Sequence, residues 1–286
     1  MTVNHAFAPR GAALALTVIV LAPVSRAAAQ DMPVALIPHR AIYDLTLSET
    51  RGNSQIAGVR GRILYDFDGN ACQGYSLEFR QVSELDTGEG KISTSDLRST
   101  TWEGADAKSY KFTSENFIDH NLVDSVDGHA EHGANGTAVD LSKPEHKNLD
   151  LDAKVVFPTQ HMMRVIAAAR ADETILNFPV YDGSETGDKV FDTLTVIGKK
   201  IGTGERTHDD AAKDLPGLAA VARWPVTISY FETGKNGKNV DQTPAYAIGF
   251  ELYENGVSRA LTLDYNDFVV SGKLSSIEIK TPKPCP

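Results

Sequence analysis

Hydrophobic and polar residues alternate with a period of two along most of the chain after residue 40. Segments 41–48 and 59–67 each place apolar side chains at every second position, which is the pattern of a β-strand with one buried face. The same alternation recurs in later segments, at 75–79, 226–230, 246–252, 261–265 and 277–279. The sequence therefore predicts a protein built mainly of β-strands.

Dipeptides suited to tight turns separate these segments. Asn255-Gly256 lies between two alternating segments, 246–253 and 257–265, and Asn-Gly in this setting is the strongest short signal for a β-hairpin. Repeated hairpins build an antiparallel meander, and the chain lacks the regularly spaced helices that a parallel sheet needs. The further dipeptides of this kind are Asp68-Gly69, Asp127-Gly128, Asn135-Gly136, Asp182-Gly183 and Asn236-Gly237.

One segment has the pattern of an α-helix. Residues 160–171 are rich in helix-forming residues and follow Pro158, which suits the first turn of a helix. We predict a helix over about 158–171 that packs one face into the concave side of a curled sheet; the alternative is a peripheral helix on a sandwich. The residues of that face are Met162, Val165, Ile166 and Ala169. Segment 209–222 is predicted to form a loop with a helical turn.

The first 29 residues have the three-part pattern of a secretory signal peptide. A short segment containing Arg10 precedes the apolar run 11–24, and the small residues 27–29 fit a cleavage site before Gln30. A transmembrane anchor is the alternative, but the run is shorter than the ~20 residues needed to cross a bilayer. We expect residues 30–286 to form a single β-rich domain in the periplasm, without a transmembrane or lipid anchor.

The composition and charge of the chain limit the kinds of molecule that it is expected to bind. Of the 286 residues, 41% are hydrophobic and 23% charged, and the net charge is −10, so the chain is that of a globular protein with a substantial core. Removal of residues 1–29, which contain two arginines and no acid, would change the net charge to −12. The basic residues are scattered among a larger number of carboxylates, which argues against binding nucleic acid.

The chain contains two cysteines, Cys72 and Cys285. In an oxidising compartment two cysteines usually form one disulfide; two free thiols are the alternative. A disulfide would remove the thiolate that a catalytic cysteine requires, so Cys72 is a poor candidate nucleophile.

Motifs for other catalytic chemistry are not found. The sequence contains no Gly-x-Ser-x-Gly nucleophile elbow. Its Gly202-Thr-Gly204 segment lacks the third glycine and the following helix of a phosphate-binding loop. No pair of carboxylates is singled out for acid–base catalysis, and we expect neither an enzymatic activity nor a cofactor.

A histidine-rich segment is the strongest candidate for a metal site. His120, His129 and His132 lie among carboxylates within fourteen residues, and such side chains bind Zn²⁺ and similar ions. His129 and His132 would point to opposite faces of a strand. We therefore favour a solvated hairpin turning at Asp127-Gly128, and keep a metal-dependent enzyme or hydrolase that uses residues 120–132 as the alternative function.

Two further histidines and six aromatic residues have both a structural and a functional interpretation. We expect His39, at the start of the first strand, and His161, on the helix, to be bonded to neighbouring groups rather than to a ligand. The aromatic residues could line an apolar ligand site, although in alternating strands such residues usually belong to the core. They are Tyr43, Tyr65, Trp102, Tyr181, Trp224 and Tyr230.

Several of these features together resemble a known family. They are the export signal, the segment LIPHRAIYDL at 36–45, the segment FPVYDG at 178–183, and the cysteine pair. Across nearly the whole exported chain the sequence is similar to the EipB-type cell envelope integrity proteins of alphaproteobacteria, formerly a domain of unknown function. The resemblance implies a long antiparallel sheet wound as a spiral or half-open barrel around one helix, with Cys72 and Cys285 joined in a disulfide.

The resemblance also bears on function. It implies a periplasmic protein required for envelope integrity, without an established enzymatic activity, and with some likeness to the lipoprotein carriers LolA and LolB. We expect the chain to bind an apolar, lipid-like ligand or a periplasmic protein partner; a purely structural role through an exposed sheet edge is a third possibility. No residue is assigned to a ligand site.

Overall fold

Antiparallel strands make up most of the molecule. The structure, a computed structural model, describes residues 34–88, 90–202, 204–205, 208–213, 215–232 and 243–285. The predicted signal peptide and the Asn236-Gly237 pair lie outside these residues. The strands are β1 (His39–Thr50), β2 (Gly58–Asn70), β3 (Gly74–Asp86), β4 (Ile92–Glu103), β5 (Ser109–Ile118), β6 (Asn121–His132), β7 (Thr137–Lys143), β8 (Lys147–Leu151), β9 (Ile175–Val180), β10 (Phe191–Ile197), β11 (Arg223–Glu232), β12 (Tyr246–Tyr253), β13 (Ser258–Asp264) and β14 (Phe268–Ile279).

All fourteen strands belong to one antiparallel sheet that is not closed into a barrel. Strand order is β8-β7-β6-β5-β4-β3-β2-β1-β14-β13-β12-β11-β10-β9. Each strand therefore pairs with the next one in the chain, except that β8 does not pair with β9 and β1 pairs with β14 as well as with β2. The pairing of β1 with β14 places the two ends of the described chain side by side in the middle of the sheet. The free edges belong to β8 and β9.

The sheet curls around helix α1 (Pro158–Arg170). Tyr75 on β3 and Trp224 on β11 are separated by five intervening strands, yet both belong to the same core cluster as Ile166 of the helix. A flat sheet would hold these two side chains more than 25 Å apart, since neighbouring strands lie about 4.8 Å apart. The predicted mainly β fold, curled around one helix, is therefore confirmed.

The helix face also agrees with the prediction. Val165, Ile166 and Ala169 are buried, and Met162 is half-buried against the same cluster. A second, four-residue helix, α2 (Pro216–Ala219), lies in the loop where a helical turn was expected.

Segments outside the strands cover the inner face of β5–β7. Phe157, just before α1, stacks on Tyr110 with ring centroids 5.1 Å apart, and Tyr181, just after β9, packs edge-on against Phe112. Val156 forms a parallel bridge to Val180 at the end of β9. The chain on both sides of the helix thus returns into the concave side of the sheet.

Loop 208–213 fills a gap in the sheet. β14 pairs with β13 only from Leu261 onward, and beyond this point the backbone N–H of Ala211 donates to the carbonyl oxygen of Leu274 at 3.0 Å. Arg259 on β13 forms a buried ion pair with Asp210 at 2.6 Å. The loop therefore replaces a missing stretch of strand pairing.

Two of the predicted tight turns are confirmed and two are wrong. Asn255-Gly256 and Asn135-Gly136 join neighbouring antiparallel strands. Asp68-Gly69 lies within β2, paired with Ser76 and Tyr75, and the turn follows at 71–73. Asp127-Gly128 lies inside β6, because Gly128 is needed there for packing: a Cβ atom at this position would come within 2.9 Å of Leu141 and of the Phe112 ring. Asp182-Gly183 lies in the longer connection 181–190 between β9 and β10.

In the described part of the chain, no helix is long and apolar enough to cross a membrane.

Candidate functional site

The helix makes the two ends of the curled sheet different. One end of the sheet, which we call the helix end, contains the turns 71–73 and 254–257. Tyr75 and Leu252, next to these turns, pack in the same core cluster as α1. Turns 119–120 and 265–267 lie at the opposite end, called the open end. The alternation of the strands defines an inner face, which carries Tyr75 and faces the helix, and an outer face.

Glu103 on β4 holds the first turn of the helix. Its Oε2 atom accepts a hydrogen bond from the backbone N–H of Thr159 at 2.7 Å, and its Oε1 atom accepts one from Gln160 at 2.8 Å. These N–H groups have no partner within the helix. Burial raises the pKa of Glu103 to about 7, against the opposite effect of the two hydrogen bonds. The helix is therefore tied to the inner face of the sheet at its N-terminus.

Toward the open end, several inner-face side chains of β3, β4, β11 and β12 are only half-buried, so solvent reaches this part of the face. On the neighbouring strands the inner face is buried, as at Leu45, Ile63 and Val270. Phe79 continues the inward row of Tyr75 on β3 and pairs with Ser99 on β4, and Tyr230 on β11 pairs with Tyr246 on β12 on the opposite wall. We call this region the open interior. It is defined by six inward-facing, half-buried side chains: Phe79, Leu97, Ser99, Tyr230, Tyr246 and Ile248.

Aromatic rings form one wall of the open interior. Tyr230 and Tyr246 are stacked with ring centroids 4.5 Å apart, and Phe191 on β10 meets both edge-on at about 6 Å. Burial raises the pKa of both tyrosines above the ordinary value. Their phenols therefore stay neutral at physiological pH and present an apolar ring with one hydroxyl group.

A carboxyl group lies close to this wall. Asp182, in the segment after β9, accepts a hydrogen bond from the hydroxyl of Tyr110 at its backbone carbonyl, 2.9 Å away, and one from the N–H of Ser184 at its carboxylate. Burial raises the pKa of Asp182. Its charge contributes to the raised pKa of Tyr230 and Tyr246, so the carboxyl group lies within electrostatic range of the two rings.

Polar groups at two other positions also face the interior. Burial raises the pKa of Tyr265, in the turn between β13 and β14, and the nearby side chain of Gln81 on β3 partly offsets this effect. Asn116 lies on the inner face of β5, and its Oδ1 atom is buried without a partner in the described part of the chain. Aromatic and aliphatic walls with a few polar groups are the usual lining of a ligand site.

Apolar side chains are also exposed at the open end. Ile92 is 55% exposed at the start of β4, and Leu122 and Val123 at the start of β6 are 53% and 50% exposed. Together they form an apolar rim beside the entrance to the interior.

Cys72 and Cys285 are joined in a disulfide, with Cα atoms 5.7 Å apart. Cys72 lies in the turn between β2 and β3, and Asn70 at the end of β2 holds that turn by accepting hydrogen bonds from the N–H groups of Cys72 and Gln73, both at 2.9 Å. The Nδ2 atom of Asn70 donates to the carbonyl oxygen of Lys283. The bridge thus attaches the C-terminal segment to the helix end.

The three candidate metal-binding histidines are not brought together. His120 lies in the turn before β6, whereas His129 and His132 lie in its second half, on opposite faces. His132 stacks on Phe157 with ring centroids 4.3 Å apart, and its Nδ1 atom is 2.6 Å from the hydroxyl of Thr137. Across the described residues, the structure contains no cluster of three or more metal-ligating side chains.

His39 and His161 are both buried. The Nδ1 atom of His39 lies 2.9 Å from the carbonyl oxygen of Ile37, and its ring stacks on Tyr65. His161 packs edge-on against Phe178, and burial lowers its pKa to about 4. The Nε2 atom of His161 lies 3.5 Å from the hydroxyl of Thr195, so each ring has a neighbouring protein group as partner, as expected.

The six aromatic residues singled out in the sequence are divided among three environments. Tyr43, Tyr181 and Trp224 are core residues. Tyr65 and Tyr230 are half-buried on the inner face, and Trp102 lies on the outer face of β4.

Sequence reasoning did not identify Glu103, Asp182 or Asn116. Glu103 ends a polar strand, and only the position of a helix 56 residues later gives its carboxylate a role. For Asp182, the sequence offered one usable signal, the glycine that follows it. In the structure Gly183 has a φ of +67°, and a Cβ atom there would collide with the Phe112 ring, so this position requires glycine.

Comparisons with known proteins agree with this architecture. A family model described as EipB-like matches residues 30–281. The curated Cell envelope integrity protein EipB of Brucella abortus is 40% identical over 268 residues, covering 94% of this chain and 93% of that protein. A crystal structure of a β-barrel-like protein of a domain of unknown function, also from Brucella abortus, superposes with a TM-score of 0.79 and 40% identity, covering 87% of this chain and all of that one.

Proposed function

Because this chain belongs to the EipB-like family, we propose that it maintains the integrity of the cell envelope by binding an apolar, lipid-like ligand in the open interior. The observation that carries the proposal is the half-buried inner face near the open end, where Phe79 and Leu97 oppose Tyr230, Tyr246 and Ile248. When a ligand covers apolar side chains that solvent still reaches, removing their surface from water makes the free energy of binding more favourable.

The polar groups in the interior suit the head of an amphipathic molecule. Asn116 offers an unpartnered acceptor, and the tyrosine hydroxyls both donate and accept. The apolar tail of such a molecule would contact the aromatic and aliphatic side chains, and its polar head would hydrogen-bond these polar groups. In this proposal the protein works as a carrier or sensor and does not catalyse a reaction.

The proposed location is the periplasm. The pattern of residues 1–29 supports export, and the Cys72–Cys285 disulfide suits an oxidising compartment. N-terminal sequencing of the protein from an osmotic-shock fraction tests the location; a mature start near Gln30 is expected, and an intact Met1 in the cytoplasmic fraction would contradict it.

Ligand binding is tested by displacement of a fluorescent fatty acid from the purified protein. Leu97→Glu places a charge in the open interior and is expected to abolish probe binding, as is Ile248→Glu. Leu64→Glu is the matched control, because Leu64 is half-buried on the outer face of β2. The same variants are then tested for restoring detergent resistance to a deletion strain.

The outcomes separate two versions of the proposal. Loss of probe binding and of complementation in Leu97→Glu, with both retained in Leu64→Glu, supports the lipid-like ligand. If no lipid binds, the ligand version is wrong, and a periplasmic protein partner seated on the rim of Ile92, Leu122 and Val123 takes its place. That version predicts that Leu122→Ser with Val123→Ser fails to complement.

A further inference from the structure

A groove crosses the outer face of the sheet, on the opposite side from the open interior. It runs over strands β3–β7 and has a volume of about 540 Å³. Its floor is the backbone, and two rows of side chains line its sides. One row contains the exposed Thr100 and Thr113, and the other contains the exposed Arg98 and the half-buried Glu115. Four inter-strand spacings give the groove a length of about 19 Å.

Two β-bulges bend the sheet beside this groove. One interrupts the pairing of β5 with β6 after Asn116, and the other interrupts β6 with β7 after Asp127. The second bulge makes Ser142 the extra residue, and its hydroxyl donates to the carboxylate of Asp127, a lining residue, at 2.8 Å. Bulges re-aim side chains and are common next to binding sites.

The guanidinium groups of the groove are held in place before any ligand arrives. Arg80 binds both carboxylate oxygens of Asp96, at 2.9 and 2.8 Å, and Arg98 binds the same carboxylate at 2.7 Å while lying 4.7 Å from the centroid of the Phe117 ring. These hydrogen bonds keep the pKa of Asp96 well below its usual range. In the described part of the chain, each arginine retains an Nη1 group without a hydrogen-bond partner.

The remaining lining groups alternate between donors and acceptors. Lys143 donates, Glu78 and Glu115 accept, and the hydroxyls of Thr100 and Thr113 do both. An extended polyanion would meet the carboxylates, and a polycation would meet the arginines and the lysine. A chain of hydroxyl groups satisfies both kinds of partner, because each hydroxyl donates and accepts.

Aromatic residues border both long sides of the groove. Trp102 follows Thr100 by two positions on the same face of β4, and Phe117 follows Glu115 by two positions on β5. Both rings are half-buried. A cation lies over each ring, Arg98 over Phe117 at 4.7 Å and Lys111 over Trp102 at 5.6 Å from the ring centroid. The rings therefore border the groove beside charged groups, and its hydrogen-bonding groups are the ones expected to recognise a ligand.

We propose that this outer groove binds an uncharged oligosaccharide lying across strands β3–β7. The site is separate from the open interior and does not depend on the ligand proposed there. A protein carrying both sites would contact a glycan on one face of the sheet and an apolar molecule on the other.

Calorimetric titration of the purified protein with cellotetraose and with tetra-N-acetylchitotetraose tests the proposal. Binding of at least one of them is expected. Arg98→Ala and Glu115→Ala are each expected to weaken it about tenfold, which is the effect of losing one hydrogen bond to a charged group. Thr113→Val, which keeps shape and strand propensity, is expected to weaken it less.

Two controls keep the result specific. Arg62→Ala removes an arginine of the same kind, bonded to Asp44 across strands on the outer face but outside the groove, and should bind as the wild type does. Leu97→Glu should also bind the sugar normally. Three results would overturn the proposal: binding of neither sugar, equal weakening by Arg62→Ala and Arg98→Ala, or tighter binding of tetragalacturonate than of the uncharged sugars.

Discussion

The carboxylate of Glu103 on β4 lies 2.7 Å from the backbone nitrogen of Thr159 in the first turn of α1. This contact, between residues 56 positions apart, sets where the helix begins relative to the sheet. Because the helix fills one end of the interior, the same contact determines how much of the interior remains open.

Glu103 is expected to make stability depend on pH. Its pKa rises from 4.5 in the unfolded chain to about 7 in the folded protein, so the native state binds the proton more tightly. The resulting stabilisation is fully present below pH 4.5 and is lost as pH rises through 7. Thermal unfolding followed by circular dichroism at pH 5, 6.5 and 8 should show a falling melting temperature that Glu103→Gln flattens.

The control for this prediction is Glu78→Gln, because Glu78 is an exposed carboxylate on the neighbouring strand. It should leave the pH dependence unchanged. The same slope in Glu103→Gln as in the wild type would show that another group is responsible.

Cys285→Ser is expected to lower the melting temperature by several degrees in oxidising buffer. The disulfide joins residues 213 positions apart, and closing so long a loop reduces the entropy of the unfolded chain by an amount worth at most about 5 kcal/mol. In reducing buffer the variant and the wild type should melt alike. Identical melting in oxidising buffer would mean that the bridge contributes nothing to stability.

Gly183→Ala is expected to destabilise the protein by about 2 kcal/mol or more. The φ of +67° strains any residue with a Cβ atom, and that atom would collide with the Phe112 ring. Gly52→Ala is the matched control: its φ is +57°, but the surrounding space is empty, so only the backbone strain of about 1 kcal/mol remains. Urea unfolding of both variants measures the difference, and equal losses would contradict the predicted collision.

Ile166→Ala is expected to cost about 2–5 kcal/mol, the range for removing a fully buried aliphatic side chain. Ile166 lies on α1 and is completely buried in the core cluster that the helix shares with both walls of the sheet. Ile92→Ala makes the same change at an exposed position and should cost less than about 1 kcal/mol. Comparable losses in the two variants would show that the helix does not anchor the core.

Several strands could not be predicted from the alternation of apolar and polar residues, and β4 shows the physical reason. Its inward positions are Ser93, Ser95, Leu97, Ser99 and Thr101, so the expected alternation of apolar with polar residues is absent. The strand contributes a single apolar side chain, Leu97, to the lining of the open interior, so its hydrophobic pattern is weak. Local pattern therefore fails at the part of the sheet most relevant to binding.

The sequence by itself determined the elements that depend on neighbouring residues. The alternation in β1 and β2, the turn at Asn255-Gly256 and the apolar face of α1 each follow from side chains a few positions apart. The family resemblance added the pairing of Cys72 with Cys285.

Only the tertiary structure decided what is brought together from afar. The pairing of β1 with β14, the capping of α1 by Glu103, the position of Asp182 beside Tyr230, and the outer groove all join residues distant in the chain. Burial changes the properties of these groups, because a carboxylate or a phenol out of water has a different pKa and different partners than in the unfolded chain. Their roles therefore depend on the folded structure and could not be read from the sequence.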